Sequence, residues 1–148
     1  MLSVPEYGWT DFSIGDAKYQ LSYLATGSTD WLKEAVHGLK NNTPFIFYGW
    51  CEPEYIFCNV TRDFCYIVCV NEEKILKTHV VKMTMLDFCK ELHADVSKDT
   101  AAWAYFEYYG DEFERDDYKK LHLQTEKMIM SLLNELDALI KEKSKRGD

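Results

Sequence analysis

Phe45 to Val70 reads FIFYGWCEPEYIFCNVTRDFCYIVCV. This stretch decides the fold: residues of one kind recur at every second position, and two short polar clusters interrupt the run. The interruptions are Glu52-Pro53-Glu54 and Thr61-Arg62-Asp63. Period-two alternation marks strands, and clusters of this composition mark tight turns. The stretch is therefore read as three antiparallel strands in a meander. In the first, Phe45, Phe47 and Gly49 face one way and Ile46, Tyr48 and Trp50 the other. Neither set is polar, so this strand is either covered on both sides or carries a functional aromatic face. Tyr55, Phe57 and Asn59 then alternate with Ile56, Cys58 and Val60. Phe64, Tyr66, Val68 and Val70 alternate with Cys65, Ile67 and Cys69.

Working outward, Asn71 to Lys74 is a polar turn into a fourth strand, Ile75 to Met83. Upstream, Trp9, Phe12 and Ile14 lead to Gly15-Asp16, after which Tyr19, Leu21 and Tyr23 alternate, the pattern of a hairpin. A meander needs a cover on at least one face, and helical periodicity supplies it. Trp31, Leu32, Ala35, Val36 and Leu39 predict a helix over residues 30–40, capped by Ser28 or Thr29 and closed before Pro44. Met85, Phe88, Cys89, Leu92 and Val96 predict a second, with Thr84 as its cap. Polar residues 95–99 are a candidate break, and residues 100–109 resume as helix, with a strand as the alternative. A last helix is expected from Tyr118 to Lys143. The expected fold is α+β: an N-terminal hairpin plus a four-strand meander packed against about three helices.

The 148 residues suit one domain, and residues 141–148 are expected to fray as a basic tail. Ten Tyr, eight Phe and four Trp exceed what the interior can hold, so some must lie at the surface. Net charge is −8; the tail, with four cations against two acids, carries +2 and leaves −10 on residues 1–140. Phosphate binding needs clustered Lys and Arg, so nucleic acid is not expected as a direct ligand. A basic partner suits the charge, as does plain solubility. The start, MLSVPEYGWTDF, lacks a basic region followed by an apolar run, and no stretch suits a membrane span. A cytoplasmic setting is the expectation, with the five cysteines reduced.

No motif spells a chemistry. Cys51, Cys58, Cys65 and Cys69 follow no C-x2-C spacing, and His37, His79, His93 and His122 fall on separate elements. Neither set has the spacing of a zinc site, and small apolar fillers are the reading of the cysteines. The glycines form no phosphate-cradling loop. Neither cofactor nor metal is expected. Glu52 and Glu54 flank Pro53 at a turn tip, where a carboxylate pair is solvated rather than catalytic. Asp87, Glu91 and Asp95 line one helix face, either a docking strip or simply a solvated side.

The segment with the strongest interface character is Tyr105 to Tyr118. It holds Tyr108, Tyr109, Asp111, Glu112, Glu114, Asp116 and Asp117. Tyrosine gains most at interfaces, and surrounding acids select a basic surface. The plainer reading is a solvated loop between helices. The candidate contacts are these seven residues with Glu52 and Glu54.

The order of features resembles a family of small bacterial immunity proteins, some encoded beside contact-dependent growth-inhibition toxins. The resemblance is carried by Ser22-Tyr23-Leu24, Trp31-Leu32-Lys33-Glu34-Ala35-Val36, Phe45 and Phe47, Glu52-Pro53-Glu54-Tyr55, and Cys65 to Val70. The family's pattern has a Gly between the Pro and Glu of the turn and a Trp near Phe57, and this chain departs at both places. The resemblance implies a cytoplasmic, non-catalytic protein that binds and neutralises one toxin domain, often a nuclease. Two alternatives come from other classes. One is a small-ligand domain or enzyme with a pocket lined by Tyr48, Trp50, Tyr66 and a cysteine. The other is a subunit whose aromatics are buried between copies.

Overall fold

The computed structural model describes residues 1–24, 27–109 and 115–146, with side chains in the last span from residue 117 onward. The chain is α+β, with six strands and four helices among the described residues. The strands are β1 (Trp9–Ile14), β2 (Ala17–Ser22), β3 (Phe45–Trp50), β4 (Tyr55–Val60), β5 (Cys65–Val70) and β6 (Ile75–Val81). They form one antiparallel sheet in chain order. The β1–β2 hairpin turns at Gly15, whose φ of 57° glycine adopts without strain. The hairpin joins the meander through one register pair, Ser22 with Trp50. There Gly49 lets the buried Leu21 side chain lie against the backbone; a Cβ at Gly49 would sit 2.7 Å from Leu21.

The sheet curls. His79 of β6 reaches Tyr19 of β2, and Val81 comes up to Gly15. Inside the curl lie Phe12, Leu21, Phe47, Ile56, Cys58, Ile67 and Cys69, all buried.

Helices cover this inner side. They are α1 (Ser28–Asn41), α2 (Met85–Ser97), α3 (Thr100–Phe106) and α4 (Arg115–Arg146). Trp31 of α1 lies on Phe47, with ring centroids 4.5 Å apart, and Phe88 of α2 packs edge-on against Phe45 and Phe47. Trp103 and Phe106 of α3 pack on Trp31. Helix α4 lies against α1, α2 and α3 and buries Ile129, Leu133 and Leu136. The α2–α3 break falls within the expected polar stretch, and Asp99 accepts the Ala102 N–H to start α3. Residues 100–106 are helix, not strand. Thr84 caps α2 as its position predicts. Helix α4 begins three residues earlier than Tyr118 and continues to Arg146.

The N-terminal segment pairs along the edge of β1, bridging Leu2 to Phe12, and its start reaches Asp95 of α2. The buried Asp95 carboxylate accepts from Leu2 N–H at 2.7 Å and Lys98 Nζ at 2.6 Å, and pairs with the Met1 amino group at 3.0 Å. Burial pushes this carboxyl up, but those bonds outweigh it and hold the pKa below the ordinary 3.8. A depressed carboxylate pKa contributes stability above its unfolded value, lost as pH falls through the folded one. Asp95→Asn should therefore lower stability by roughly 2–3 kcal/mol near neutral pH. Urea unfolding at pH 3 to 6 should show that the variant also loses part of the acid-side slope.

Candidate functional site

Alternation sorts the meander into two faces. The inward set (Phe45, Phe47, Gly49, Ile56, Cys58, Val60, Cys65, Ile67, Cys69 and His79) is buried throughout. The outward set forms a grid of three cross-strand rows. Ile46, Asn59, Tyr66 and Val80 make one row; Tyr48, Phe57, Val68 and Thr78 the next; Trp50, Tyr55, Val70 and Ile75 the third. All twelve are half-buried or exposed, and only Asn59 and Thr78 are neither apolar nor aromatic. Ile46 is 47% exposed, Phe57 38%, Val80 60% and Ile75 65%. Tyr48 stacks on Tyr55 and tilts onto Phe57, and Trp50 stacks on Tyr55, so the rings hold one another in place.

Strand spacing makes the grid roughly 14 Å along the strands and about 14 Å across them. With its side chains it covers on the order of several hundred Å², the size at which apolar patches mark docking surfaces. The turns at residues 51–54 and 71–74 lie at the same end of the grid, next to the Trp50–Tyr55–Val70–Ile75 row. Together they carry Glu52, Glu54, Glu72 and Glu73 against Lys74. The site is thus an aromatic sheet face with an acidic end. Sequence reasoning placed the main contacts elsewhere, although the lack of a polar face on β3 already signalled this surface.

Glu52 is exposed at its turn, with φ 37°. Glu54 turns towards the curl, where its Oε2 accepts from Cys69 Sγ at 3.5 Å. Tyr108 is half-buried and receives the Thr125 hydroxyl. Tyr109 packs edge-on against Tyr23 and Tyr105. Tyr105 also meets Tyr118 and His122, so these rings tie α3 to α4. Asp117 is exposed near the start of α4. Asp111, Glu112, Glu114 and the side chain of Asp116 lie outside the described residues.

Glu107, from the same segment, has a structural role that spacing does not reveal. Ser28 and Thr29 do not cap α1; they fall inside its first turn, with Gly27 at the cap position. The Glu107 carboxylate caps from α3 instead. Its Oε1 accepts Thr29 N–H at 2.7 Å and Ser28 Oγ at 3.1 Å, and its Oε2 accepts Thr29 Oγ1 at 3.1 Å. Burial raises this carboxyl's pKa, and the same hydrogen bonds pull it back only in part.

Asp16, His79 and Tyr19 form a chain that runs from the exposed β1–β2 turn into the curl. Asp16 is held below the ordinary carboxylate range by its bond to His79. A carboxylate can only accept, so His79 Nδ1–H donates to Asp16 at 3.1 Å, and Nε2 is hydrogen-bonded to the Tyr19 hydroxyl at 2.9 Å. At its inner end Tyr19 also hydrogen-bonds Cys69. Burial, then the neighbouring Cys69, pushes the Tyr19 phenol up to about 12. Burial likewise pushes the half-exposed Cys51 up to about 12, and raises Cys69 and Cys89. Cys65, held down by its hydrogen bond with Cys58, is sealed in the core beside it. Among the described residues no cluster suited to a metal ion occurs, and no helix is long and apolar enough to cross a membrane. No protein-family model, curated protein or solved structure matches the chain.

Glu107→Ala strands two hydroxyls and an N–H, and should cost roughly 1–3 kcal/mol in urea unfolding, with Glu107→Gln much milder. Cys51, although accessible, should be alkylated by iodoacetamide at pH 8 at least about a hundredfold more slowly than a free cysteine, as mass spectrometry can follow.

Proposed function

We propose that this protein is a non-catalytic, immunity- or antitoxin-type protein of the cytoplasm that binds and neutralises a basic toxin domain. We further propose that the toxin docks against the uncovered face of β3 to β6. The observation that carries this reading is that face: ten apolar or aromatic positions in twelve, beside the exposed carboxylates of Glu52, Glu72 and Glu73. Apolar rings supply the desolvated centre of an interface, and the acidic end selects and steers a basic partner. A second copy is the poorer occupant, because it would bring another chain of charge −8 onto the same surface. A nuclease domain would have the required basicity, since its own substrate is a polyanion. The order of motifs shared with small immunity proteins supports the same reading.

The test is direct binding to a toxin domain encoded by the adjoining gene, measured by calorimetry, with rescue of growth on co-expression. Phe57→Glu should leave the melting temperature nearly unchanged and weaken binding about thirtyfold or more, as loss of an interface anchor does. Glu52→Lys with Glu73→Lys should chiefly slow association and flatten its salt dependence. Failure of the toxin to bind at low salt would overturn the function. Undiminished binding by Phe57→Glu would remove the sheet face as the contact.

A further inference from the structure

A cleft of about 290 Å³ lies where four separate parts of the chain meet. Leu39 and Asn42 come from the end of α1, Arg62 and Asp63 from the β4–β5 turn, Thr84 to Leu86 from the start of α2, and Lys143 from the end of α4. The turn is tied to the helix start, since Arg62 C=O accepts Met85 N–H at 3.1 Å.

Lys143 sets the chemistry. It is only 7% exposed, in the last turns of a helix where a lysine ordinarily reaches solvent. Its Nζ donates to Asn42 Oδ1 at 2.6 Å, and Asn42 is held in the left-handed region at φ 52°. Nearby Lys141 and Arg146 pair with Asp137 and Glu142 at 2.6 and 2.7 Å, whereas Lys143 has no carboxylate partner among the described residues. A buried ammonium facing a neutral amide gives up hydration without gaining a counter-charge. The carbonyl end of α1 offers it half a charge at most. That accounts for where Lys143 sits, but not for the open space beside it, nor for Arg62, which forms no ion pair within the described residues.

We propose that this cleft binds a small organic anion, with its charged head against Lys143 and Arg62 and a short apolar body against Leu39, Met85 and Leu86. The start of α2 adds little for the head, because Met85 N–H is spent on Arg62 C=O and Asp87 places its own carboxylate in the first turn. The Thr84 hydroxyl is already committed to Asp87 and supplies no contact. Asp63 stands against the two cations, so the lining carries +1 in a chain of −8, which matches a monoanion. A carboxylate fits that balance, and a phosphate head offers the same oxyanion chemistry. The site is independent of the toxin-binding reading.

The test is calorimetric titration of the intact protein with acetate, hexanoate and inorganic phosphate at low ionic strength. Hexanoate is expected to saturate and to bind at least about tenfold more tightly than acetate, because its chain buries several methylenes. Saturation by phosphate in preference to hexanoate would assign the head to phosphate and still uphold the anion site. Arg62 is exposed, so Arg62→Gln should fold normally and weaken binding several-fold. Lys143→Gln should abolish it, with Lys143→Arg restoring part of it. If neither hexanoate nor phosphate saturates, or if Arg62→Gln binds as the native protein does, the site is refuted. Equal affinity for acetate and hexanoate would refute the apolar body.

Discussion

Phe47 is where the layers meet. Its ring is fully buried and meets an aromatic from three other elements: Phe12 of β1 at 5.2 Å, Trp31 of α1 at 4.5 Å and Phe88 of α2 at 5.8 Å. The same strand takes a second fastening, because Trp31 Nε1 donates to Tyr48 C=O at 2.7 Å. These contacts fix the parity of β3. A slip of one residue would carry Phe45 and Phe47 to the outside and Tyr48 and Trp50 into the core.

Once β3 has its parity, β4 to β6 inherit theirs through the ladder. Pairing Phe47 with Cys58, Cys58 with Ile67 and Ile67 with His79 sends this whole row of side chains inward. The neighbouring row, Tyr48 through Thr78, must then point outward. The helices pack on the inner side, where the large rings of Trp31, Phe88, Trp103 and Phe106 fill the space. The outward aromatics are thus a consequence of where the helices lie, and among the described residues no helix covers them.

What could be read from the amino-acid order follows from how local each determinant is. Strand alternation, the turns at Glu52-Pro53-Glu54 and Asn71 to Lys74, and the Thr84 cap all depend on near neighbours, and they stand where the spacing put them. Features that depend on distant residues were not legible. Ser28 and Thr29 have the composition of a cap, yet the acceptor arrives from Glu107, far along the chain. Glu54 reads as an exposed turn acid, and only the curl of the sheet brings Cys69 to it. The tyrosines near residue 108 read as a surface, because nothing local reveals that Tyr23 and His122 will pack among them. Arg62 and Lys143 share a cleft only because α4 returns across α1.

The management of the sheet's edges narrows how such a face can be used. An open strand edge invites pairing with another chain. Here β1 is shielded by the N-terminal segment, with Ser3 N–H donating to Asp11 C=O and Ser13 N–H to Met1 C=O. At the other side β6 is irregular against β5 near Cys69 and Val70, and it carries the charged Lys77. His79 of β6 is also drawn round to Tyr19 and Asp16, bending that edge towards the hairpin. Both edges are therefore guarded by the devices that discourage strand addition, while the outward face has none. Recognition on this fold falls to side chains on the face, whose specificity lies in the shape of the rings and the charge beside them rather than in backbone pairing.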